Sequence, residues 1–313
     1  MMEEKWTGPV FSVPMFFKGD GSIDTFSLER YLNDCCDSAG ISVLYSMAYN
    51  TRFAQMTPDE IEFINKLVCN YAKKSGKLAV VGHPLNMAQD QLDLFCERMK
   101  DIGADAVSVL YPERYYGIDD TILEFLQAPV RAGLGLMIHE MKLVSGFNGE
   151  LVDWPLNLIS KAMDIEGCIA VKEDSKNDSL SEQIMRLGIE KNINVVLAGG
   201  GKRRAQKFLD QKLLFCWLNG SLMLCPRIAG PVSDIFIRGD KEAIADYLEK
   251  IEIPFFDNFV SKVGWHVGHK FALHLAGYCD LAERKPMPVI SSSDQAKFQP
   301  IVKSVISNIN SFQ

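Results

Sequence analysis

Gly167-Cys168-Ile169-Ala170-Val171-Lys172 is a short apolar run that closes on a lysine. Its length and β-branched content suit a strand buried on both faces, as strands of parallel sheets are. Similar runs occupy residues 10–16, 42–47, 78–81, 105–110, 134–139, 194–198 and 215–219, which makes eight in all. Between them lie stretches of helical period at 26–38, 58–74, 88–102, 121–132, 155–164, 180–187 and 202–210. Thr57-Pro58-Asp59-Glu60 is a helix start, with a capping hydroxyl, a proline at the first helical position and acids in the first turn. Strands that alternate with helices pair in parallel through crossovers, and eight such units is the number that closes a barrel. The expected fold is therefore α/β, a (β/α)8 TIM barrel over residues 1–225. Residues 226–313 are expected to form a helical C-terminal extension packed on the barrel within a single structural unit, with helices near 228–238, 241–258 and 267–277. A doubly wound open sheet is the rival, but no strand is followed by a G-x-G-x-x-G turn. The glycine run Ala198-Gly199-Gly200-Gly201 instead follows the seventh strand, where barrels often bind phosphate or carboxylate groups.

Composition narrows the function. The 313 residues are 47% hydrophobic and 23% charged, ordinary values for a globular chain. A formal net charge of -7, with no basic stripe, argues against a nucleic-acid partner. The longest apolar runs, 133–139 and 216–225, fall short of the roughly 20 residues that span a bilayer, so no membrane association is expected. The start Met1-Met2-Glu3-Glu4-Lys5 has neither the basic flank nor the apolar stretch of a signal peptide, and a cytoplasmic location is expected. The eight cysteines form no CxxC pair and no Cys/His spacing that suits zinc, so they are read as reduced core residues.

In a barrel the carboxyl ends of the strands converge on one mouth, so the last residue of each run is the informative one. Lys172 is such a residue. A lysine there is solvated, paired with Glu173 or Asp174, or desolvated; desolvation lowers its pKa and supplies the neutral amine that attacks a ketone. Strand five ends in Ile138-His139-Glu140, strand two leads into Ala48-Tyr49-Asn50-Thr51-Arg52, and strand four into Tyr111-Pro112-Glu113-Arg114-Tyr115-Tyr116. His83 closes strand three and is a further candidate for the mouth. Lys202, Arg203 and Arg204 follow the glycines at a helix start, where they either attract an anion or form a solvated face. His266, His269 and His274 lie far from any acid cluster and are read as structural.

Several segments, in order, resemble the dihydrodipicolinate synthase and N-acetylneuraminate lyase superfamily of pyruvate-type class I aldolases. Gly8-Pro9-Val10-Phe11-Ser12-Val13-Pro14-Met15-Phe16 with Asp20-Gly21-Ser22-Ile23-Asp24 is similar to the family's opening, and Met56-Thr57-Pro58-Asp59-Glu60 to its "LT.eE" helix start. Gly167-Cys168-Ile169-Ala170-Val171-Lys172-Glu173 resembles the "i.GiKe" strand that carries the Schiff-base lysine. Lys270-Phe271-Ala272-Leu273-His274-Leu275-Ala276-Gly277 and Arg284-Lys285-Pro286-Met287-Pro288 resemble the closing segment, so the likeness runs from about residue 8 to about 292. It implies an imine on Lys172, a 2-oxo acid substrate, no cofactor, no metal and a homo-oligomer, tetramer or dimer.

The departures shape the expected chemistry. The family's "GTTGE" falls on Ala48-Tyr49-Asn50-Thr51-Arg52, its catalytic tyrosine on His139, and its interface tyrosine on Arg114. The backbone at Tyr49 and Asn50, the Asn50 amide and Arg52 are expected to hold the substrate carboxylate. His139 is expected to replace the phenol as acid and base, its ordinary pKa near ~6.5 suiting that task; the alternative is a satisfied core histidine. Arg114, Glu140 and Gly199 complete the expected substrate-binding set. The function expected is a Schiff-base lyase, an aldolase or dehydratase acting on a sugar-derived 2-oxo acid. The alternatives are a ligand-binding or regulatory protein that keeps the lysine, and a metal-dependent enzyme, for which His83, His139 and Glu140 form no recognisable ligand set.

Overall fold

The computed structural model describes residues 6–47, 55–83, 87–110, 119–141, 146–147, 150–151, 153–198, 204, 207–208 and 211–312. Eight strands close a parallel barrel: β1 (Gly8–Ser12), β2 (Val43–Ser46), β3 (Leu78–Gly82), β4 (Ala106–Val109), β5 (Gly135–Glu140), β6 (Cys168–Glu173), β7 (Asn194–Leu197) and β8 (Cys216–Leu218). Each pairs with the next in sequence, and β8 returns to β1 through Gly8↔Cys216, Pro9↔Trp217 and Val10↔Leu218. The helices between them are α1 (Thr25–Asp37), α2 (Pro58–Lys74), α3 (Gln89–Asp101), α4 (Asp119–Leu126), α5 (Ala128–Arg131), α6 (Leu156–Met163) and α7 (Asp178–Glu190). A short antiparallel hairpin, Gly146–Phe147 with Glu150–Leu151, lies between β5 and α6.

The alternation of strand side chains divides the core into two parts. Val10, Val43, Val80, Ala106, Met137, Ala170, Val196 and Cys216, one from each strand, pack together inside the barrel. A second, larger cluster fills the space between the strands and the helices, with Phe11, Leu44, Val81, Val107, Ile138, Val171, Leu197 and Trp217 as its strand contribution. Both faces of the strands are thus mostly apolar, the reason the sequence reads as largely apolar runs. Two residues beyond Met137 and Ala170, the inward side carries His139 and Lys172.

Local chemistry sets the element ends. In α2, Thr57 Oγ1 accepts the Glu60 N–H at 3.3 Å, the cap expected from the sequence, and Glu60 Oε2 accepts the Thr57 N–H at 2.9 Å, which makes it reciprocal. Arg284 clamps the same helix start, with Nη1 2.7 Å from Glu60 Oε2 and Nη2 2.8 Å from Glu60 Oε1. Its other bonds go to the carbonyls of Gly21 and Gln55. One guanidinium therefore ties the C-terminal segment to the loops that follow β1 and β2.

The first strand is shorter than the apolar run 10–16 suggests. It ends at Ser12, and Met15, Phe16 and Phe17 are buried outside it; Pro14 has no N–H to give a ladder. The expected helix 121–132 is divided at Gln127, because Pro129 cannot donate to the preceding turn. The segment expected as helix 241–258 stays helical from Lys241 to Val263 but contains two wide turns, Leu248–Glu252 and Phe256–Val260, on either side of Pro254. A final helix, Ser292–Ser311, lies beyond those expected from the pattern; it buries Phe298, Val302, Val305 and Ile309 at spacings of four and three. The extension meets the barrel closely: Ala229–Arg238 packs on β1. All eight cysteines are free thiols, six of them buried. No helix among the described residues is long and apolar enough to cross a membrane.

Candidate active site

Register brings the central pair together. β5 and β6 align His139 with Lys172 and Glu140 with Glu173, so the first pair shares the inward face and the second the outward face. Lys172 is 3% exposed and His139 fully buried. Their side chains are hydrogen-bonded, Lys172 Nζ to His139 Nε2. As an ammonium, Lys172 donates to an unprotonated Nε2, which puts the imidazole proton on Nδ1; as a neutral amine it can also accept from a protonated Nε2. That Nδ1 is buried and has no hydrogen-bond partner among the described residues.

Two bases in contact inside a protein cannot both be charged at modest cost. Burial pulls His139 well below its ordinary value, and Lys172 and His83 add to the effect. Burial also lowers Lys172, against the opposing pull of Asp174 and then Glu140. Asp174 Oδ2 lies 3.7 Å from Lys172 Nζ. The ion pair that the sequence left open thus forms with Asp174, not with Glu173, and it coexists with desolvation.

Behind the strands, Glu140 and Glu173 are both fully buried. Glu140 Oε1 accepts the Trp154 N–H and Oε2 the Asp174 N–H, each at 3.3 Å. Burial, with Glu173 second, pushes the Glu140 carboxyl up to about 8. Glu173 is raised by burial and eased by Ser175, Ser181 and Arg204. Its Oε1 accepts from the Ser175 N–H at 3.0 Å and from the Ser175 hydroxyl, and its Oε2 stands 3.8 Å from Arg204 Nη1. Arg204 is only 14% exposed and bonds Asp178 at 2.6 Å and Ser181 at 2.5 Å. It is an internal tie between the segment after β7 and the start of α7, neither a solvated face nor a free anion site.

One inward group escaped the sequence reading. Tyr45, on β2, is buried within the barrel, and its hydroxyl lies 2.8 Å from Ser108 Oγ on β4. Burial raises the phenol above its ordinary value, and Asp174 adds to the rise, which places Tyr45 within electrostatic reach of the acid beside Lys172. The signal available was parity: Tyr45 is two residues from inward Val43.

His83 does not line the mouth. Its ring is packed edge-on against Phe95 and Phe125 at 6.3 and 6.4 Å, and Nε2 accepts the Leu110 N–H at 3.1 Å. His269 sits among Phe255, Phe256 and Trp265, and His274 donates from Nδ1 to the Cys279 carbonyl, both consistent with structural roles. Tyr49, Asn50, Arg52, Arg114 and Gly199 lie outside the described residues, as do Tyr111, Tyr115, Tyr116, Lys202 and Arg203. No group of three or more His, Cys, Asp or Glu among the described residues is placed to hold a metal ion.

Solved structures superpose on nearly the whole chain. The 4-hydroxy-tetrahydrodipicolinate synthase of Methylacidiphilum fumariolicum SolV matches with a TM-score of 0.82 at 16% identity, over 98% of this chain and 99% of that one. The chain has the fold of the dihydrodipicolinate synthases. The chloride-inhibited dihydrodipicolinate synthase of Acinetobacter baumannii, complexed with pyruvate, matches with a TM-score of 0.81 at 16% identity, over 96% and 99% of the two chains. YagE, a prophage protein of that family from E. coli K12 in complex with pyruvate, gives 0.80 at 16% identity over 96% and 98%. No protein-family model and no curated protein sequence matches the chain. The shared feature is therefore the barrel with its helical extension.

Proposed function

We propose that the protein is a divergent member of the dihydrodipicolinate synthase and N-acetylneuraminate lyase superfamily, a class I lyase that forms an imine between Lys172 and a 2-oxo acid. The observation that carries this reading is the buried Lys172 amine, at the carboxyl end of an inward strand position and hydrogen-bonded to His139. The ordered sequence motifs and the full-length likeness of fold support it, as does pyruvate bound by two of the structural neighbours.

The chemistry follows from the pair. Neutral Lys172 attacks the ketone carbon, and the C=O π electrons move to oxygen. His139 Nε2 takes the proton lost by nitrogen and returns one to oxygen, giving the carbinolamine; a further proton on that oxygen lets it leave as water. The resulting protonated imine accepts the electron pair released when a C–C bond breaks in retro-aldol cleavage, or when C3 loses a proton before a β-hydroxyl departs. His139 is placed for this shuttle by its contact with Lys172 Nζ, although burial and Lys172 hold its proton affinity well below the ordinary imidazole value expected from the sequence. The sequence pattern assigns the substrate carboxylate to Tyr49, Asn50 and Arg52, and further substrate contacts to Arg114 and Gly199. A sugar-derived 2-oxo acid is the substrate class, cleaved or dehydrated.

The test is inactivation. Borohydride is expected to abolish turnover of such an acid irreversibly when substrate is present and to leave activity intact when it is absent. Equal survival in both conditions contradicts the imine, and loss of activity to a chelator favours metal chemistry instead.

A further inference from the structure

Glu140 was expected to touch substrate, yet it leaves β5 on the face opposite His139. Its two oxygens are taken by two backbone donors, Trp154 at the approach to α6 and Asp174 immediately after β6, each at 3.3 Å. Asp174 in turn presents its carboxylate to Lys172 at 3.7 Å. We infer that Glu140 is a positioning residue, which holds the Asp174 backbone from behind the barrel and so fixes the carboxylate that sets the charge of Lys172. The inference rests on the imine reading for its consequence in catalysis, but its geometry stands without it.

The alternative is that Glu140 acts on Lys172 by its own charge. The groups facing Glu140 are Glu173 on β6, Asp153 beside Trp154, and Asp174; those acting on Lys172 are His139, Asp174, Glu140 itself and, farther along the same segment, Lys176. With its carboxyl pushed up to about 8, Glu140 is mostly the neutral acid at neutral pH, so its own pull on Lys172 there ranks behind that of Asp174. The neutral acid still accepts one N–H group at its carbonyl oxygen and the other, more weakly, at its hydroxyl oxygen. What it supplies to Lys172 is therefore the place of Asp174.

The experiment uses the full chain with pyruvate as probe, borohydride trapping as readout and the pH midpoint of the trapping rate as the measured quantity. Asp174→Asn removes the carboxylate that favours the ammonium, so the midpoint is expected to fall by about one pH unit or more. Glu140→Leu removes the tether and is expected to lower it in the same direction. Glu140→Asp keeps the acid but withdraws it by one methylene, and it too is expected to lower the midpoint. Combined with Asp174→Asn, neither is expected to add a further shift. Thermal melting confirms that each variant is folded, and Glu140→Asp serves if Glu140→Leu is not. A wild-type midpoint in Glu140→Asp, or shifts that add in the double variants, overturns the inference. Reductive methylation of Lys172 by formaldehyde and cyanoborohydride yields the same midpoint with no 2-oxo acid. Methylation without pyruvate trapping in the wild type therefore removes the lyase reading while still testing this one.

Discussion

Lys172 Nζ and His139 Nε2 face each other from matched positions on neighbouring strands, and neither side chain has meaningful access to water. On the proposed chemistry, His139 is the group through which protons reach the lysine. His139→Phe keeps the ring volume and removes the base, so turnover is expected to fall about a hundredfold or more. Trapping of a 2-oxo acid at Lys172 is expected to persist, more slowly. Steady-state rates beside trapping yields check this; unchanged turnover would show that the histidine is only packing.

Lys172 also has a cost in stability whose pH dependence has a definite sign. Its folded pKa is lowered by burial from an unfolded value of about 10.4. Below the folded pKa the chain pays the full cost of a buried ammonium. As pH rises from there the unfolded state holds more protons than the folded one, so stability rises until the unfolded pKa is passed. Lys172→Met is expected to flatten this rise in urea unfolding between neutral pH and about 10.4. The slope is the readout, since the substitution also takes the donor from His139.

Glu140 has the opposite sign. Its folded pKa is near 8, above the ordinary carboxylate value of about 4.3. Between these values the folded state keeps a proton that the unfolded state releases, so stability falls as pH rises and levels off above 8. The loss amounts to about 1.4 kcal/mol for each pH unit of the window. Glu140→Gln is expected to remove most of it, and unfolding curves at pH 5 and pH 8 that keep the wild-type difference would contradict the burial of this acid.

The C-terminal extension is locked to the barrel by a backbone approach. A Cβ on Gly40 would lie 2.1 Å from the Gly230 nitrogen and 2.4 Å from the Ala229 carbonyl carbon, atoms that no side-chain rotation can move away. Gly40→Ala is expected to cost about 1–3 kcal/mol, read as a lower melting temperature. Wild-type stability would mean that the helix beginning at Ala229 is not seated there.

Much of the architecture could be read before any coordinates. All eight strands were visible because a parallel strand covered on both faces becomes a largely apolar run, as at Leu78–Gly82. Pro14 and Pro129 mark where the reading overran, since apolar character does not say whether a segment has the N–H groups to continue a ladder or a helix. Ser292–Ser311 is the clearest omission; its serines, asparagines and Pro300 dilute a period that four buried residues still obey. In the site, Lys172 stood out because a lysine at the end of such a run needs an explanation. Asp174 was visible only as a possible ion pair, and Tyr45 as one more strand residue. The different roles of His139 and Glu140 turn on a single step of strand alternation, which separates a group inside the barrel from one behind it. That step is fixed by register against β6, a contact between residues 33 positions apart that no local pattern encodes.

The central claim is most directly tested by the mass of the reduced adduct. The full chain is incubated with pyruvate, then with borohydride, digested, and the peptide that contains Lys172 is weighed. A single reduced pyruvyl group is expected on Lys172, absent without borohydride and absent in Lys172→Ala. An unmodified Lys172 peptide with pyruvate and with every other 2-oxo acid offered would contradict it.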